Sequence, residues 1–387
     1  MTALLFCFII FSSVNVLSQD KMVIVGAERM KEYLPLIRDK RIAIVSNQTS
    51  LVNHTHLVDT LLSLKIKIKC VFAPEHGFRG DAEAGAHIDN NVDAKTKLPI
   101  ISLYGKHDKP TAEDLTDVDL VVFDIQDVGA RFYTYIATLQ YVMEACAQKK
   151  IPVLVLDRPN PNGFYVDGPV LNKKLASFVG MNPIPIVHGL TIAEYALMLN
   201  GEHWLANNLQ CDLFYVKCVN WDHSDFYELP VKPSPNLPNN TSIYLYPSLC
   251  LFEGTKVSVG RGTDYPFQVV GFPDSKVGSF HFTPKSKSGF ATKPLYENID
   301  CKGFDLRTFG DTYIKASHQV YLYWLIGMYQ TDSTQFFNSF FDKLAGTDEL
   351  RKQIIAGTSE EEIRNSWQPA LDNYILMRKK YLLYKDF

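Results

Sequence analysis

Five short, largely apolar runs alternate with helix-like stretches in the region from about residue 40 to residue 190. Strands that are apolar at every position, and not only at every second one, are typical of a sheet buried on both faces. Such strands are parallel and are joined by helices that cover both faces of the sheet. The pattern therefore predicts an α/β fold, with a doubly wound parallel sheet. The five runs are Ile42–Val45, Ile68–Phe72, Ile100–Leu103, Leu120–Phe123 and Val153–Leu156.

Further helix and strand signals continue this pattern along the chain. Residues 131–150 carry apolar side chains at helical spacing and end in two lysines, which suit the C-terminus of a helix. A sixth apolar run, Ile184–Val187, is expected to form another strand, as are residues 212–219. Thr191, followed three residues later by Glu194, has the spacing of a capping box and predicts a helix that begins there.

The character of the sequence changes after a proline-rich stretch at residues 232–238. Such a stretch is typical of a linker or a rigid surface loop. We therefore predict a first domain over residues 19–238 and a smaller α+β domain over residues 239–387. In the second domain, the predicted strands and turns lie within residues 244–262 and 269–282, and the predicted helices within residues 313–344 and 360–383.

The first 18 residues are predicted to be a signal peptide. The apolar run Leu4–Phe11 is too short to span a bilayer, and Val16 and Ser18 stand where a signal peptidase prefers small side chains. An uncleaved anchor is the alternative. No later stretch reaches membrane-spanning length, so we expect an exported protein, periplasmic or secreted, with no stable membrane span after cleavage.

The charge balance and the motifs that are missing exclude several classes of function. With 39 basic and 42 acidic side chains there is no broad cationic field, so no nucleic-acid partner is expected. Gly260–Gly262 lacks the third glycine of a dinucleotide-binding loop, and no GxSxG elbow is present. No histidine or cysteine spacing indicates a metal site, so no cofactor is expected. The cysteines beyond the signal are expected to be buried free thiols, with one or two disulfides as the alternative.

Polar side chains follow nearly every apolar run. Because the carboxyl ends of parallel strands meet at one edge of a sheet, these side chains are expected to gather where ligands bind. A set of structural caps and loop hydrogen bonds is the alternative for any of them. The candidates for substrate binding at this edge are Asn47, His76, Asp124, Gln126, Asp157, Arg158, Asn160 and His188.

Glu75 is the strongest candidate for a catalytic residue. It lies between a proline and a histidine directly after a buried strand, in the segment APEHGFRGDAEAG of residues 73–85. A carboxyl group at such a position can be desolvated, which raises its pKa toward neutrality, as a general acid requires. Arg79 of the same segment is a candidate for substrate binding, or it pairs with Asp81 and fixes the loop.

Two further segments contribute candidates. Arg131 either clamps a ligand carboxylate or pairs with Asp124 or Asp127, and Tyr133 either stacks on a sugar ring or belongs to the core. In the second domain, Glu253 and Arg261 stand among glycines and hydroxyl side chains. A loop of that composition indicates a contribution to a cleft between the two domains.

Six sequence segments together resemble the exo-β-N-acetylmuramidase family of bacteria, glycoside hydrolases formerly described as a domain of unknown function. They occur in order and cover most of the chain. Ala193 is a local departure, because relatives often have glycine there. The segments are SNQTS (46–50), PEHGFRGDAEAG (74–85), FDIQDVGARFYTY (123–135), DRPNPNG (157–163), HGLTIAEYA (188–196) and CLFEGTKVSVGRGTDYPFQ (250–268).

The resemblance implies a Rossmann-like N-terminal domain, a smaller C-terminal domain and an active site in the cleft between them. It implies removal of N-acetylmuramic acid from the non-reducing end of peptidoglycan fragments, so the expected partner is a peptidoglycan-derived saccharide. The glutamate of the PEHG motif, which is Glu75 here, is implied as catalytic. An exported receptor that binds such sugars without hydrolysis is the alternative.

Glycoside hydrolysis usually needs a second carboxylate, unless the substrate's own 2-acetamido group attacks. Glu253 is the first choice for it, followed by Asp124 and by Glu194, which the capping box can account for. The lactyl carboxylate of muramic acid distinguishes it from glucosamine, and a buried arginine that binds it would discriminate strongly. The candidates for that arginine are Arg79, Arg131, Arg158 and Arg261.

Overall fold

The computed structural model describes residues 22–79 and 91–387. The predicted signal peptide and residues 80–90 of the glycine-rich segment, with Asp81, lie outside the described residues. The strands are β1 (Arg41–Ser46), β2 (Leu51–Val52), β3 (Thr55–His56), β4 (Lys67–Ala73), β5 (Asn91–Val92), β6 (Pro99–Ser102), β7 (Leu120–Asp124), β8 (Val153–Leu156), β9 (Leu213–Val216), β10 (Val269–Phe272), β11 (Phe280–Phe282) and β12 (Cys301–Asp305).

The α-helices lie on both sides of residue 238, where the sequence predicts a domain boundary. The position of that boundary stays a prediction. A π-helical turn, Gly310–Ile314, joins two of the shortest. The helices are α1 (Met30–Ile37), α2 (Leu57–Ser63), α3 (Tyr135–Lys149), α4 (Ile192–Gly201), α5 (Asn240–Leu249), α6 (Arg307–Phe309), α7 (Lys315–Ser317), α8 (Tyr323–Thr331), α9 (Phe341–Ala345), α10 (Glu349–Ala356) and α11 (Glu360–Arg378).

A seven-stranded sheet forms the centre of the first domain, in the order β5-β6-β4-β1-β7-β8-β9. All its neighbouring pairs are parallel except β5 and β6. The five predicted runs are β1, β4, β6, β7 and β8, and the strand predicted at residues 212–219 is β9, so the predicted α/β sheet is confirmed. The register pairs Ser46 with Asp124, which places the carboxyl ends of β1 and β7 side by side.

The sixth apolar run does not form a strand of this sheet. In Ile184–Val187 only Val187 makes bridges, and these are isolated pairs with Ala130 and Asp167. The physical reason is that Pro183 and Pro185 flank and interrupt the run, and a proline has no N–H group to donate to a strand ladder.

The prediction of strands at residues 244–262 is wrong, because α5 and a 3-10 turn, Cys250–Gly254, occupy its first half. The Asn239 side chain caps α5 by accepting from the Ser242 N–H at 2.9 Å. Residues 241–249 are all buried, and a continuous apolar run does not distinguish a buried helix from a buried strand. Pro247 cannot donate to the carbonyl of Ile243 one turn earlier, and Asn162 of the first domain donates to it at 3.1 Å.

The second domain contains an antiparallel sheet, β10-β12-β11, with helices after it. Strands β10 and β11 confirm the prediction for residues 269–282, and α8, α9 and α11 lie in the regions predicted as helical. The chain then returns to the first domain, where Tyr384 donates to Asp157 at 2.6 Å and the Leu383 N–H donates to Glu194 at 2.8 Å. One apolar core runs through both domains, from Val121 and Leu139 to Phe252 and Leu325.

The six cysteines of the described residues are buried free thiols, as expected. Within residues 22–79 and 91–387, no helix combines the length and the apolar character needed to cross a membrane.

Candidate active site

A cavity of about 200 Å³ lies where loops at the carboxyl edge of the large sheet meet the second domain. Glu75 contributes a carboxyl group to its wall from the first domain, and Glu253 contributes another from the second. The other lining residues are His76, Tyr104, Phe132, Tyr133, Thr134, Phe178, Val179, Ser234, Asn236, Leu237, Tyr246, Cys250, Arg261, Phe267, Phe340 and Leu344.

Glu75 reaches the cavity from a tight turn that follows β4. His76 and Gly77 both have left-handed backbone conformations, with φ of 70° and 78°, and the Gly77 N–H donates to the Pro74 carbonyl at 3.0 Å. A histidine with positive φ is strained, and such strain is found most often at functional sites. The Glu75 side chain is half-buried, and the Thr134 hydroxyl donates to its Oε2 at 2.7 Å. Its carboxyl group is therefore held in one orientation.

Glu253 is held by Arg261. It lies in the 3-10 turn after α5, and its Oε1 accepts from the Arg261 Nε at 2.5 Å. The Phe267 ring lies under the guanidinium, 4.9 Å from ring centroid to Cζ. Burial by itself lowers the pKa of Arg261, but the attraction and hydrogen bond of the Glu253 carboxylate outweigh it, so the pKa of Arg261 is raised above its ordinary value. The two groups thus form an ion pair in the cavity wall.

Five of the predicted site residues line the cavity: Glu75, His76, Tyr133, Glu253 and Arg261. Tyr133 packs edge-on against Tyr246, with ring centroids 5.9 Å apart. Burial raises the pKa of Tyr133 well above its ordinary value, so its hydroxyl is neutral. The other predicted site residues are not among those that line this cavity.

Asp124 and Arg158 pair with each other beneath the sheet edge. Arg158 donates from Nε and Nη2 to the two carboxylate oxygens at 2.6 and 3.0 Å, and both side chains are buried. Arg158 also donates to the Leu51 carbonyl at 3.0 Å. The alternative pairing of Arg131 with Asp124 is therefore wrong, and neither Asp124 nor Arg158 is placed to contact a ligand in the cavity.

Three buried amides hold the sheet-edge loops together. Asn47 donates to the Tyr135 hydroxyl at 3.0 Å, while Gln126 donates to the Pro159 carbonyl at 2.7 Å. Asn160 donates to the Leu190 carbonyl at 2.9 Å. These hydrogen bonds join the loop after β1 to α3, the loop after β7 to the loop after β8, and the loop after β8 to the segment before α4. They are structural hydrogen bonds, the alternative that the sequence left open for these residues.

Asp157, His188 and Glu194 serve the contact between α4 and the C-terminal segment. Burial raises the pKa of Asp157 to about 6, and the carboxyl group accepts from Ala193 N at 3.0 Å and from Tyr384. The predicted capping box is confirmed, since the Thr191 N–H donates to Glu194 at 2.9 Å. His188 is buried, with its Nδ1 accepting from Leu190 N at 3.2 Å. Asp157 and His188 are both buried and do not line the cavity. Their predicted role in binding substrate stays a prediction.

Arg79 is exposed and lies outside the cavity wall. It donates to Asp93 through Nε and Nη2, at 3.3 and 2.9 Å, and its guanidinium stacks on Phe78. Asp81, the partner considered from the sequence, lies outside the described residues.

Arg131 binds carbonyl groups and not a carboxylate. Its Nη1 donates to the carbonyls of Pro169 and Ile184, both at 2.8 Å. Its Nη2 donates to the carbonyls of Leu344 and Ala345, at 2.9 and 2.7 Å. The last two carbonyls end α9, and a cation at a helix C-terminus is stabilised by the helix dipole. Arg131 therefore fastens a helix of the second domain to the first domain.

Arg131→Met should lower the free energy of unfolding by about 4 kcal/mol, because four buried carbonyl groups lose their donor. Urea unfolding followed by circular dichroism measures this change. Arg351→Met is the matched control, since Arg351 pairs with Asp342 at the surface, and it should cost less than about 1 kcal/mol. A loss below about 1 kcal/mol for Arg131→Met would show that water replaces the guanidinium without cost.

Thr134 and Tyr246 are two of the cavity-lining residues that sequence reasoning missed. Thr134 stands directly before α3, and threonine at the start of a helix is a recognised signal, but for capping and not for holding a carboxylate. Tyr246 lies in the segment that was predicted as a strand, so its side-chain direction was unpredictable.

Glycoside hydrolases use two carboxyl groups, one to protonate the glycosidic oxygen and one as nucleophile or base, and Glu75 and Glu253 place two carboxyl groups in the wall of one cavity. The pair of carboxyl groups therefore indicates the class of glycoside hydrolases.

Comparison with known proteins identifies the family. The family model described as "Exo-beta-N-acetylmuramidase NamZ, N-terminal" matches residues 42–241, and the corresponding C-terminal model matches residues 244–384. The chain is 40% identical to the peptidoglycan beta-N-acetylmuramidase NamZ of Bacillus subtilis (strain 168), over 92% of this chain and 89% of that protein.

Two crystal structures of DUF1343 family proteins from Bacteroides fragilis NCTC 9343 have the same fold. One is 46% identical with a TM-score of 0.88, covering 95% of this chain and all of that chain. The other is 28% identical with a TM-score of 0.80, covering 94% of this chain and 99% of that chain. The chain belongs to the exo-β-N-acetylmuramidase NamZ family and is a glycoside hydrolase, as its sequence motifs indicated.

Proposed function

We propose that this enzyme removes N-acetylmuramic acid from the non-reducing end of peptidoglycan fragments, with Glu75 as the general acid and Glu253 as the second carboxylate. The observation that carries the proposal is that both carboxyl groups line one cavity and come from different domains. A small cavity suits release of a single terminal sugar.

Glu75 is suited to protonate the departing oxygen. The Thr134 hydroxyl holds Oε2 at 2.7 Å, so the carboxyl group keeps one orientation through the reaction. A fixed acid next to the scissile bond needs little reorganisation as the bond breaks, and this preorganisation lowers the barrier.

Glu253 is suited to the opposite role, because it forms an ion pair with Arg261 in the cavity wall. Such a carboxylate stabilises the oxocarbenium-like transition state and either attacks carbon 1 or activates a water. Where the substrate's 2-acetamido group is the nucleophile, the same carboxylate orients it. In each of these routes, Glu75 protonates the departing oxygen in the first step.

Hydrolysis of a chromogenic β-N-acetylmuramide tests the proposal. We expect release of N-acetylmuramic acid from this substrate and from short peptidoglycan saccharides, but only from their non-reducing ends. NMR of the first-formed anomer separates direct attack by water from the two routes with an intermediate, since a β product requires two displacements and an α product requires one. Tight binding of the muramide without release of sugar would favour the receptor alternative and overturn the proposal.

We also propose that the enzyme acts outside the cytoplasm, where its substrate lies. The support is the apolar run Leu4–Phe11 followed by small residues at Val16 and Ser18. Sequencing the N-terminus of the protein recovered from the periplasm or the medium tests this, with Gln19 expected as the first residue.

A further inference from the structure

We propose that Arg261 recognises the lactyl carboxylate of the muramic acid residue and so makes the enzyme specific for muramides over glucosaminides. This inference rests on the proposed function, since it assumes that the terminal muramic acid occupies the cavity. The guanidinium of Arg261 lines the cavity, and its Nε is engaged by Glu253 at 2.5 Å. In the described part of the chain, no residue accepts a hydrogen bond from its Nη1 or Nη2.

The remaining arginine candidates have no such donors available inside the cavity. Both Nη atoms of Arg131 are occupied by carbonyl groups, and Arg158 is occupied by Asp124 and a carbonyl group. Arg79 is exposed and pairs with Asp93. Among the described residues that line the cavity, Arg261 is the one lysine or arginine.

The geometry of the guanidinium suits a carboxylate. Glu253 uses only Nε, so the Nη1 and Nη2 hydrogens at the end of the fork are directed elsewhere and can bind two carboxylate oxygens in parallel. The Phe267 ring, 4.9 Å from Cζ, keeps the plane of the guanidinium fixed and covers one of its faces. A preorganised fork loses little conformational entropy when the ligand arrives.

The backbone around Arg261 is also fixed. Gly260 and Gly262 have φ of 78° and 80°, and the Lys285 N–H donates to the Gly262 carbonyl at 3.0 Å. A Cβ atom on Gly262 would stand 2.5 Å from the Lys285 carbonyl oxygen, so only glycine fits there. The side chain between these glycines therefore projects from a rigid turn.

Charge favours the same assignment. A lactyl carboxylate bound near Glu253 would be repelled by it unless a cation stood between them. A single guanidinium that binds Glu253 through Nε and the substrate through its two Nη atoms removes that repulsion and sets the position of the sugar relative to Glu253. A substrate without the carboxylate leaves the fork unpaired, which we expect to lower kcat/KM by about 100-fold.

The test compares a β-N-acetylmuramide with the same compound in which the lactyl acid is a neutral amide. For the wild-type enzyme, we expect kcat/KM for the acid to exceed that for the amide by about 100-fold. Arg261→Lys keeps a positive charge beside Glu253 but removes the fork, so its acid-to-amide ratio should fall below about 10. Arg79→Lys is the control variant and should keep the wild-type ratio.

The ratio separates substrate recognition from an effect through Glu253. If Arg261 only positioned Glu253, Arg261→Lys would slow both compounds equally and leave the ratio unchanged, which would overturn the proposal. Should the variant be too slow to assay, calorimetry of free N-acetylmuramic acid and its lactyl amide gives the same comparison as a ratio of Kd values. Failure of the wild-type enzyme to hydrolyse the acid would refute the proposed function itself, whereas an unchanged ratio refutes only the role of Arg261.

Discussion

Glu75→Gln should lower kcat for the muramic acid–glucosamine disaccharide by about 10³-fold or more, because the sugar oxygen then departs without a proton. The amide oxygen of glutamine can still accept from the Thr134 hydroxyl, so the turn after β4 should keep its structure and the free energy of unfolding should stay within about 1 kcal/mol of the wild type. Steady-state kinetics and urea unfolding measure the two quantities on the same preparation.

The leaving group identifies the role of Glu75. The dinitrophenolate group of a dinitrophenyl β-muramide departs without help from an acid. Glu75→Gln should therefore hydrolyse this substrate at a rate far closer to that of the wild type than it hydrolyses the disaccharide. Glu113→Gln is the matched control, because Glu113 is an exposed glutamate of the same domain, and it should be unaffected with both substrates. Equal losses on the two substrates would mean that Glu75 is not the acid, and near-normal turnover of the disaccharide would remove it from the mechanism.

The parts of the fold that could be predicted are those in which burial alone determines the structure. The runs that became β1, β7 and β8 are apolar throughout because helices cover both faces of the sheet. Residues 241–249 are just as buried, but they form a helix because Asn239 caps it and because Asn162 satisfies a carbonyl that Pro247 leaves unpaired. The hydrogen bond from Asn162 comes from a residue far away in the chain, which a local pattern does not contain.

The candidate site was predictable to a similar degree. Polar residues after parallel strands do gather at one edge, as the sequence indicated, and Glu75 lines the cavity there. The choice of partners could not be predicted. Arg131 and Arg158 look alike in the sequence, each close to an aspartate, but Arg158 pairs with Asp124 whereas Arg131 caps α9. The distances between elements determine which arginines bind other parts of the fold. They also determine that Arg261 lines the cavity.

Glu253→Gln should also lower kcat by about 10³-fold, because the amide cannot stabilise positive charge on the sugar or activate a nucleophile. Unlike Glu75→Gln, it should be equally slow with the disaccharide and with the dinitrophenyl muramide, since attack at carbon 1 fails whatever the leaving group. Glu297→Gln is the matched control, because Glu297 is an exposed glutamate of the second domain. The pair of leaving-group profiles therefore assigns one carboxyl group to each side of the glycosidic bond.

Azide added to Glu253→Ala shows how Glu253 acts. The substitution opens space beside Arg261, where a small anion can enter and attack carbon 1 directly. If Glu253 is the nucleophile or the base, azide should restore turnover and give the α-muramyl azide, with the configuration of the β substrate inverted. A β-azide would instead show that the 2-acetamido group attacks first and that azide opens the resulting intermediate. Turnover of Glu253→Gln within about 10-fold of the wild type, with no effect of azide on Glu253→Ala, would transfer the second role to another carboxyl group.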